Sequence, residues 1–450
     1  MTFNGGVHPP DYKQLTENET IKSVPVPKQL AVMLSQHIGA ICRPAVNKKD
    51  RVTAGQLIGS ADAFVSAPIH SPVNGTVKDI ALCSHPVLGR AEAIIIESDE
   101  SNQPKQPCAD KFDGRFNPDK FTPEKIFNAV RNAGIVGMGG AGFPTSVKIK
   151  TNPSSPIRTI IINGCECEPF ITCDYRVMLE WTNQVVAGAL LIGKALGCGD
   201  IYIGIEDNKP AAADAFREAI KNMPAAAGIE VVVVKTKYPQ GGEKQLIKSI
   251  LGEDVPAGGI PPMIGVLVSN VATAAAIVEA VVFDVPLTYR PVTVSGSGIK
   301  KPGNFYAPVG MAIKELIELA GGLTDDAAKV ILGGPMMGFA IADLSTPITK
   351  TSGAVIILTE KEISKAKMLG KETACIRCGR CIAACPVNVN PTRIAHAVKN
   401  NLLETAEDYY MSACIECGCC SYVCPANIEL SGFIKTGKIL VARQKKLMPK

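Results

Sequence analysis

Residues 375–386 read CIRCGRCIAACP and residues 414–425 read CIECGCCSYVCP. Both runs are C-x2-C-x2-C-x3-C-P. Three thiolates two residues apart wrap three irons of a cubane, and in a doubled motif the fourth cysteine ligates the other cluster. This spacing assigns Cys375, Cys378, Cys381 and Cys424 to one [4Fe-4S] cluster, and Cys414, Cys417, Cys420 and Cys385 to a second. Cys419 falls off the pattern and is read as a small packed residue. Structural zinc is the competing reading, but it uses two pairs rather than two quartets closed by Cys-Pro.

The surrounding composition agrees. The chain has 450 residues, 46% of them hydrophobic, enough for roughly three domains with buried cores. Nine of its sixteen cysteines sit in the last quarter at ligand spacing, which favours a reducing compartment and metal chemistry over disulfides. The net charge of +5 is mild and the basic residues are scattered among acids, so no nucleic-acid partner is expected. The N-terminus lacks a secretory pattern. The most apolar window, residues 263–285, contains Asn270 and Glu279 and reads as strand, turn and helix rather than as a membrane span.

Upstream, the texture changes three times. From about Val24 to Glu97 short β-rich segments are separated by turn signals such as Asn74-Gly75. Residues 101–123 are polar and Pro-rich, a linker pattern. Strand and helix patterns then alternate up to about residue 283, which implies a mostly parallel sheet covered by helices. From Arg290 two short strands, the helical MAIKELIELAGG and further strands make a compact module. Within the alternating region GIVGMGGAGFPTSVKIK (134–150) places Gly137, Gly139, Gly140 and Gly142 in six residues. Such a loop can cradle a phosphate or lie beneath a flat ring. It follows a helix, not a strand, so the usual dinucleotide-binding context is missing.

Several stretches resemble known families. Residues 46–77 resemble the barrel-sandwich hybrid fold of biotinyl and lipoyl carriers, yet SAPIHSP (66–72) has no lysine to carry a prosthetic group, which leaves a scaffold or docking role. GMGGAGFPTSVK resembles the flavin- and NADH-binding loop of the flavoprotein subunit of respiratory complex I. NGCECEP from Asn163, YPQGGEK from Tyr238 and SNVAT from Ser269 match that family in the same order. The resemblance implies that Gly137, Gly139, Gly140 and Lys148 contact FMN and its phosphate. Asn163, Glu166, Asn270 and Thr273 would surround the flavin, and Phe143, Glu168 and Glu243 would face the nicotinamide nucleotide. Gly142 and Tyr238, inside the same stretches, join the cofactor-binding candidates. Two positions depart from the family: Cys165 replaces an acid, and only Glu243 of a pair of acids remains, preceded by Gly242. Cys165, Cys167 and Cys173 read as small buried residues, because C-x-C-x5-C has no fourth ligand nearby.

Taken whole, from the opening FNGGVHPPDYK to the doubled cysteine motif, the chain resembles the C subunit of the Rnf electron-transport complexes. A cobalamin reductase of bacterial microcompartments shares the domain order, and a cluster-carrying relay without NADH activity is the third reading. The expected fold class is multidomain α/β plus β. A barrel-sandwich hybrid domain and linker would span 1–115, a Rossmann-like FMN/NADH domain 116–287, a β-grasp SLBB-like domain 288–358 and a helical two-[4Fe-4S] ferredoxin-like domain 359–450. The resemblance implies FMN, NAD(H) and two [4Fe-4S] clusters as cofactors. It implies the other subunits of a membrane-bound complex as partners, ferredoxin indirectly, and a peripheral place on the cytoplasmic side of the membrane.

Overall fold

The computed structural model describes residues 1–99, 112, 115–150, 154–366 and 371–447, so most of the stretch read as a linker lies outside the described residues. Residues 29–98 form two small antiparallel sheets. One orders its strands Gln29–Met33, Gly89–Ser98, Gly75–His85 and Arg51–Val52; the other orders Arg43–Pro44, Leu57–Ser60 and Ile69–His70. Alternation along each strand sends Leu30, Val32, Ile58, Ile69, Val77, Ile94 and Ile96 into one core. The SAPIH tip, which would be exposed in a carrier domain, is packed inside the molecule, with Ser66 and His70 buried.

Four parallel strands follow, in the order Ile229–Val234, Ile201–Glu206, Thr159–Gly164 and Val266–Asn270. Their near-continuous apolar runs suit a sheet covered on both faces. The window that could be mistaken for a membrane span is the strand Val266–Asn270 followed at once by the helix Val271–Phe283. Asn270 makes that switch, its Oδ1 accepting the amides of Ala272 at 2.9 Å and Thr273 at 3.2 Å as a helix cap. Among the described residues no helix is long and apolar enough to cross a membrane. Thr182–Leu196 lies tightly against Val271–Phe283, because Gly188 lets the backbones meet where a Cβ would overlap the Ala274 carbonyl.

The next module is a six-stranded mixed sheet backed by the helix Ile313–Leu319. Its edge comes from far away: Ile21–Ser23 runs parallel to Asn304–Tyr306. Ile21–Ser23 therefore joins this sheet and not the barrel sheets that follow it in the chain. The last module is helical, built on Pro391–Lys399 and Leu430–Leu447, and its two cysteine motifs repeat in backbone detail. Arg377, Gly379 and Asn388 in the first motif, and Glu416, Gly418 and Asn427 at the matching positions of the second, all take positive φ.

Two buried cations tie the first three modules together. The Lys350 ammonium donates to the carbonyls of Pro68 and Gly134, both at 2.7 Å, while its own amide donates to Gln36 Oε1 at 2.9 Å. Burial lowers the Lys350 ammonium to about 7. Arg290 donates to the Lys350 carbonyl at 2.5 Å and, more weakly, to that of Met138 at 3.4 Å. The barrel tip, the sheet domain and the β-grasp-like module thus meet at one polar knot.

The helix contact at Gly188 yields a stability prediction. Gly188→Ala should force the two helices apart and destabilise the chain by about 1–3 kcal/mol, as overpacking does. A lowered unfolding midpoint in thermal or denaturant melts checks it; an unchanged midpoint would show that the contact is loose.

Candidate functional site

The glycine loop is a closed hairpin. The Gly137 amide donates to the Phe143 carbonyl at 2.9 Å, and Met138 N donates to Thr273 Oγ1 at 2.9 Å, which pins the loop to the capped helix. Gly142, at φ +64°, has no room for a side chain, since a Cβ would stand 2.6 Å from Thr351 Cγ2. Gly140, at φ +107°, has open space where a side chain would be. The loop is held at both ends and bare in the middle, which suits close approach of a ligand to backbone amides.

Asn163 and Asn270 end neighbouring strands in register, at the carboxyl edge where parallel sheets bind ligands. Asn163 Nδ2 donates to the Gly241 carbonyl at 2.8 Å, bringing the YPQGGEK loop to the same edge. Asn270 Nδ2 donates to Asp174 Oδ2 at 2.6 Å. Glu166 caps the helix Cys173–Glu180 by accepting the amides of Asp174 at 2.6 Å and Tyr175 at 3.1 Å. Burial pushes its carboxyl up to about 7, against the pull of the Lys13 ammonium. Lys13 itself donates to the carbonyls of Glu166, Glu168 and Ile171 at 2.6, 2.9 and 2.6 Å, clamping the NGCECEP turn.

Glu166, Cys173 and Asp174 bring their ligand atoms within 4.8 Å of one another. Each is already engaged: Glu166 with two amides, Asp174 with Asn270, and Cys173 with the Gly353 carbonyl at 3.3 Å. Lys13 and Asp174 were not among the sequence candidates. Lys13 lies in the opening PDYK, where only its distant partners reveal a role.

Lys148 reaches Glu243 at 2.5 Å and the Val268 carbonyl at 3.2 Å, so its ammonium sits at the sheet edge, partly open to solvent. Glu168 lies elsewhere. It accepts the amides of Met336 at 3.1 Å and Met337 at 2.9 Å in the β-grasp-like module, and burial pushes it up to about 7. Tyr238 is buried and donates its hydroxyl to the Cys417 carbonyl at 2.8 Å. Glu168 and Tyr238 therefore stand at the seam with the cysteine module, and the glycine loop, Asn163, Asn270, Thr273, Lys148 and Glu243 gather at the sheet edge.

Within the cysteine module, Cys385 joins Cys414, Cys417 and Cys420 around one small, apolar-lined cavity. Cys381 and Cys424 pack in one buried group with Cys420, Ala395 and Ala426, while Cys375 and Cys378 are exposed. The fold thus brings Cys385 to the second motif, and sets Cys424 beside Cys381 of the first motif as well as Cys420 of its own. Burial raises Cys414 to about 11 and Cys420 to about 12, and neighbouring thiolates add to both. Burial also pushes Cys385 up, whereas a hydrogen bond from Cys419 holds Cys417 down; the three raised thiols become thiolates together only beside a compensating cation, the condition a metal cluster meets. Cys419, fully buried, also borders that cavity, its sulfur 3.9 Å from the Tyr238 carbonyl.

Comparisons with known proteins follow the same order along the chain. Residues 1–101 match the RnfC barrel sandwich hybrid domain, 130–279 the Nuo51 FMN-binding domain, 291–340 the SLBB domain and 367–425 the 4Fe-4S dicluster domain. The C subunit of a proton-translocating ferredoxin:NAD(+) oxidoreductase complex from Clostridium ljungdahlii is 42% identical over 91% of this chain and 87% of its own. The chain belongs to the C-subunit family of ion-translocating oxidoreductase complexes. The C subunit of a Na(+)-translocating ferredoxin:NAD(+) oxidoreductase complex from Acetobacterium woodii is 37% identical over 90% of this chain and 89% of its own. The C subunit of the ion-translocating oxidoreductase complex from Rhodobacter capsulatus is 39% identical over 90% and 76%. A crystal structure of an NAD+-reducing [NiFe]-hydrogenase shares the fold at TM-score 0.52 and 18% identity, over 73% of this chain and 68% of that one.

This member of the family thus carries an FMN-binding domain and a 4Fe-4S dicluster domain. Its residues fit both groups: a glycine cradle open at Gly140 with the Lys148 cation at the same sheet edge, and cysteines of both motifs gathered around one cavity and in a buried group next to it. Replacing Cys424 with Ser should damage the cluster whose other ligands begin at Cys375 and leave the second intact, as read by electron paramagnetic resonance and iron content. Loss confined to the cluster of Cys414 would refute the pairing. Lys148→Ala should lower FMN occupancy of the purified chain severalfold, with little change in iron; unchanged flavin would remove Lys148 from the site.

Proposed function

We propose that this chain exchanges electrons between NAD(H) and bound FMN and passes them singly through two [4Fe-4S] clusters to partner subunits. Its place is peripheral, on the cytoplasmic side of a membrane complex that couples ferredoxin:NAD oxidoreduction to ion movement. Relatives across nearly the whole chain are named as subunits of such complexes. The observation that carries the reading is the Tyr238 hydroxyl on the Cys417 carbonyl, which joins the flavin-domain edge directly to a cluster-ligand loop.

FMN, when bound, supplies the conversion between a two-electron hydride carrier and one-electron carriers. The chain's own residues bind and orient. The amides of Gly139–Gly142 offer donors to a phosphate or ring edge, and Lys148 supplies a cation beside them. Lys148 is shared with Glu243, so an incoming phosphate competes with that carboxylate for the ammonium. Asn163 and Asn270 hold the floor of the site through Gly241 and Asp174. Gly242 has a physical reason for lacking a side chain: a Cβ would overlap Gln245, whose amide donates to the Pro386 carbonyl of the cluster module at 3.2 Å. The missing acid makes room for a second tie across the seam.

An anaerobic NADH titration of the reconstituted chain tests the reading. The flavin absorbance should bleach and a reduced-cluster signal should follow. A flavin that dithionite reduces but NADH does not would contradict nicotinamide exchange.

A further inference from the structure

The two cysteine sets face different surroundings. The set of Cys385, Cys414, Cys417 and Cys420 is sunk against the rest of the chain. Tyr238 holds the Cys417 carbonyl, Gln245 holds that of Pro386, and Gly6 N donates to the Ala384 carbonyl at 2.9 Å. Gly5 lies so close to the Cys385 carbonyl that a Cβ would stand 2.7 Å from it. Among the described residues the loop around Cys375 and Cys378 is tied only within its own module, with Thr373 N donating to the Ala426 carbonyl at 3.0 Å, and every residue from Lys371 to Arg380 is exposed.

Two further features mark that loop. Ile376 is 67% exposed and Ile382 45%, apolar side chains set beside the ligand cysteines rather than in a core. Around them stand Lys371, Arg377 and Arg380, together with Arg393, which follows Thr392, whose hydroxyl lies 2.9 Å from Cys381 Sγ. Among the described residues none of these four cations makes an ion pair, whereas the nearby Glu372 is paired with Lys399. An apolar centre with an unneutralised cationic rim attracts and orients an acidic surface.

We infer that the Cys375–Ile382 loop, with Lys371 and Arg393 at its rim, is the docking surface for a small acidic one-electron carrier protein or domain. The inference rests on the proposed function, because only an electron-transfer chain needs such an exit. It adds an order: the buried set serves the flavin side and the exposed set serves the partner. The balance is simple. NADH yields NAD+, one proton and two electrons, so two docking events each move one electron per hydride, and no bond forms or breaks at the loop.

The probe is a purified acidic two-cluster ferredoxin, and the readout is its binding to the reconstituted chain at about 50 and about 300 mM salt, across which screening of surface charge increases. The wild-type chain should bind severalfold more weakly at the higher salt. The double variant Arg377→Glu, Arg380→Glu should weaken low-salt binding at least tenfold, on the order of 1.4 kcal/mol or more, and lose most of the salt dependence. Dithionite-reduced signals of both clusters and NADH bleaching of the flavin should stay as in wild type. If that variant fails to assemble its exposed cluster, Lys371→Glu with Arg393→Glu, outside the ligand motif, is read instead and should show the same loss. Unchanged affinity and salt dependence in a variant with intact clusters would overturn the inference, as would a wild-type chain that does not bind the ferredoxin while its flavin bleaches with NADH. A wild-type flavin inert to NADH would instead fail the proposed function, and the binding data would still decide the docking surface.

Discussion

The contact between the Tyr238 hydroxyl and the Cys417 carbonyl sets the relation between the two redox regions of this chain. A single neutral hydrogen bond contributes only about 1 kcal/mol. What makes it firm is its setting: the Tyr238 ring is buried with Val7, Ala384, Cys417 and Cys419. The N-terminal strap adds to it, since Val7 and Tyr238 exchange backbone hydrogen bonds at 2.8 and 2.9 Å while Gly6 reaches Ala384. Flavin edge, strap and cluster loop form one packed seam, and a relay requires that their separation not drift.

The rest of the fold steadies the flavin side of that seam. Lys13, Lys350 and Arg290 are buried cations, and each is surrounded by backbone carbonyls rather than left bare. Burying a charge without partners is costly, so each spends its donors tying segments that are distant in sequence. Lys13 anchors the NGCECEP turn to the N-terminal strap, while Lys350 and Arg290 anchor the glycine loop to the barrel tip and the β-grasp-like module. The barrel tip has no lysine to carry a prosthetic group; instead the Pro68 carbonyl in that tip accepts the Lys350 ammonium.

Much of this was legible in the sequence, for identifiable reasons. Cluster ligands are local in sequence, so C-x2-C-x2-C-x3-C-P exposes them, and the repeat of positive φ at Arg377 and Glu416 shows why the spacing recurs. The parallel sheet was legible because its nearly all-apolar strands alternate with segments of helical pattern, even though the helix Val271–Phe283 is buried along almost its whole length. The pairing of Ile21–Ser23 with the β-grasp-like sheet was not, since a three-residue strand carries no mark of its partner. Lys13 and Asp174 were missed because their roles depend on partners that chain folding brings from elsewhere. Glu168, expected to face a nucleotide, also grips Met336 and Met337, a contact no motif encodes.

The central claim is that the buried cysteine set is the one coupled to the flavin side. The direct measurement is an NADH reduction of a chain whose exposed cluster has been removed by Cys375→Ser with Cys378→Ser, followed by electron paramagnetic resonance. The account predicts that the remaining cluster still takes electrons from NADH. If the flavin bleaches while an intact remaining cluster stays oxidised, and dithionite then reduces it, the coupling runs through the exposed set and the account is wrong.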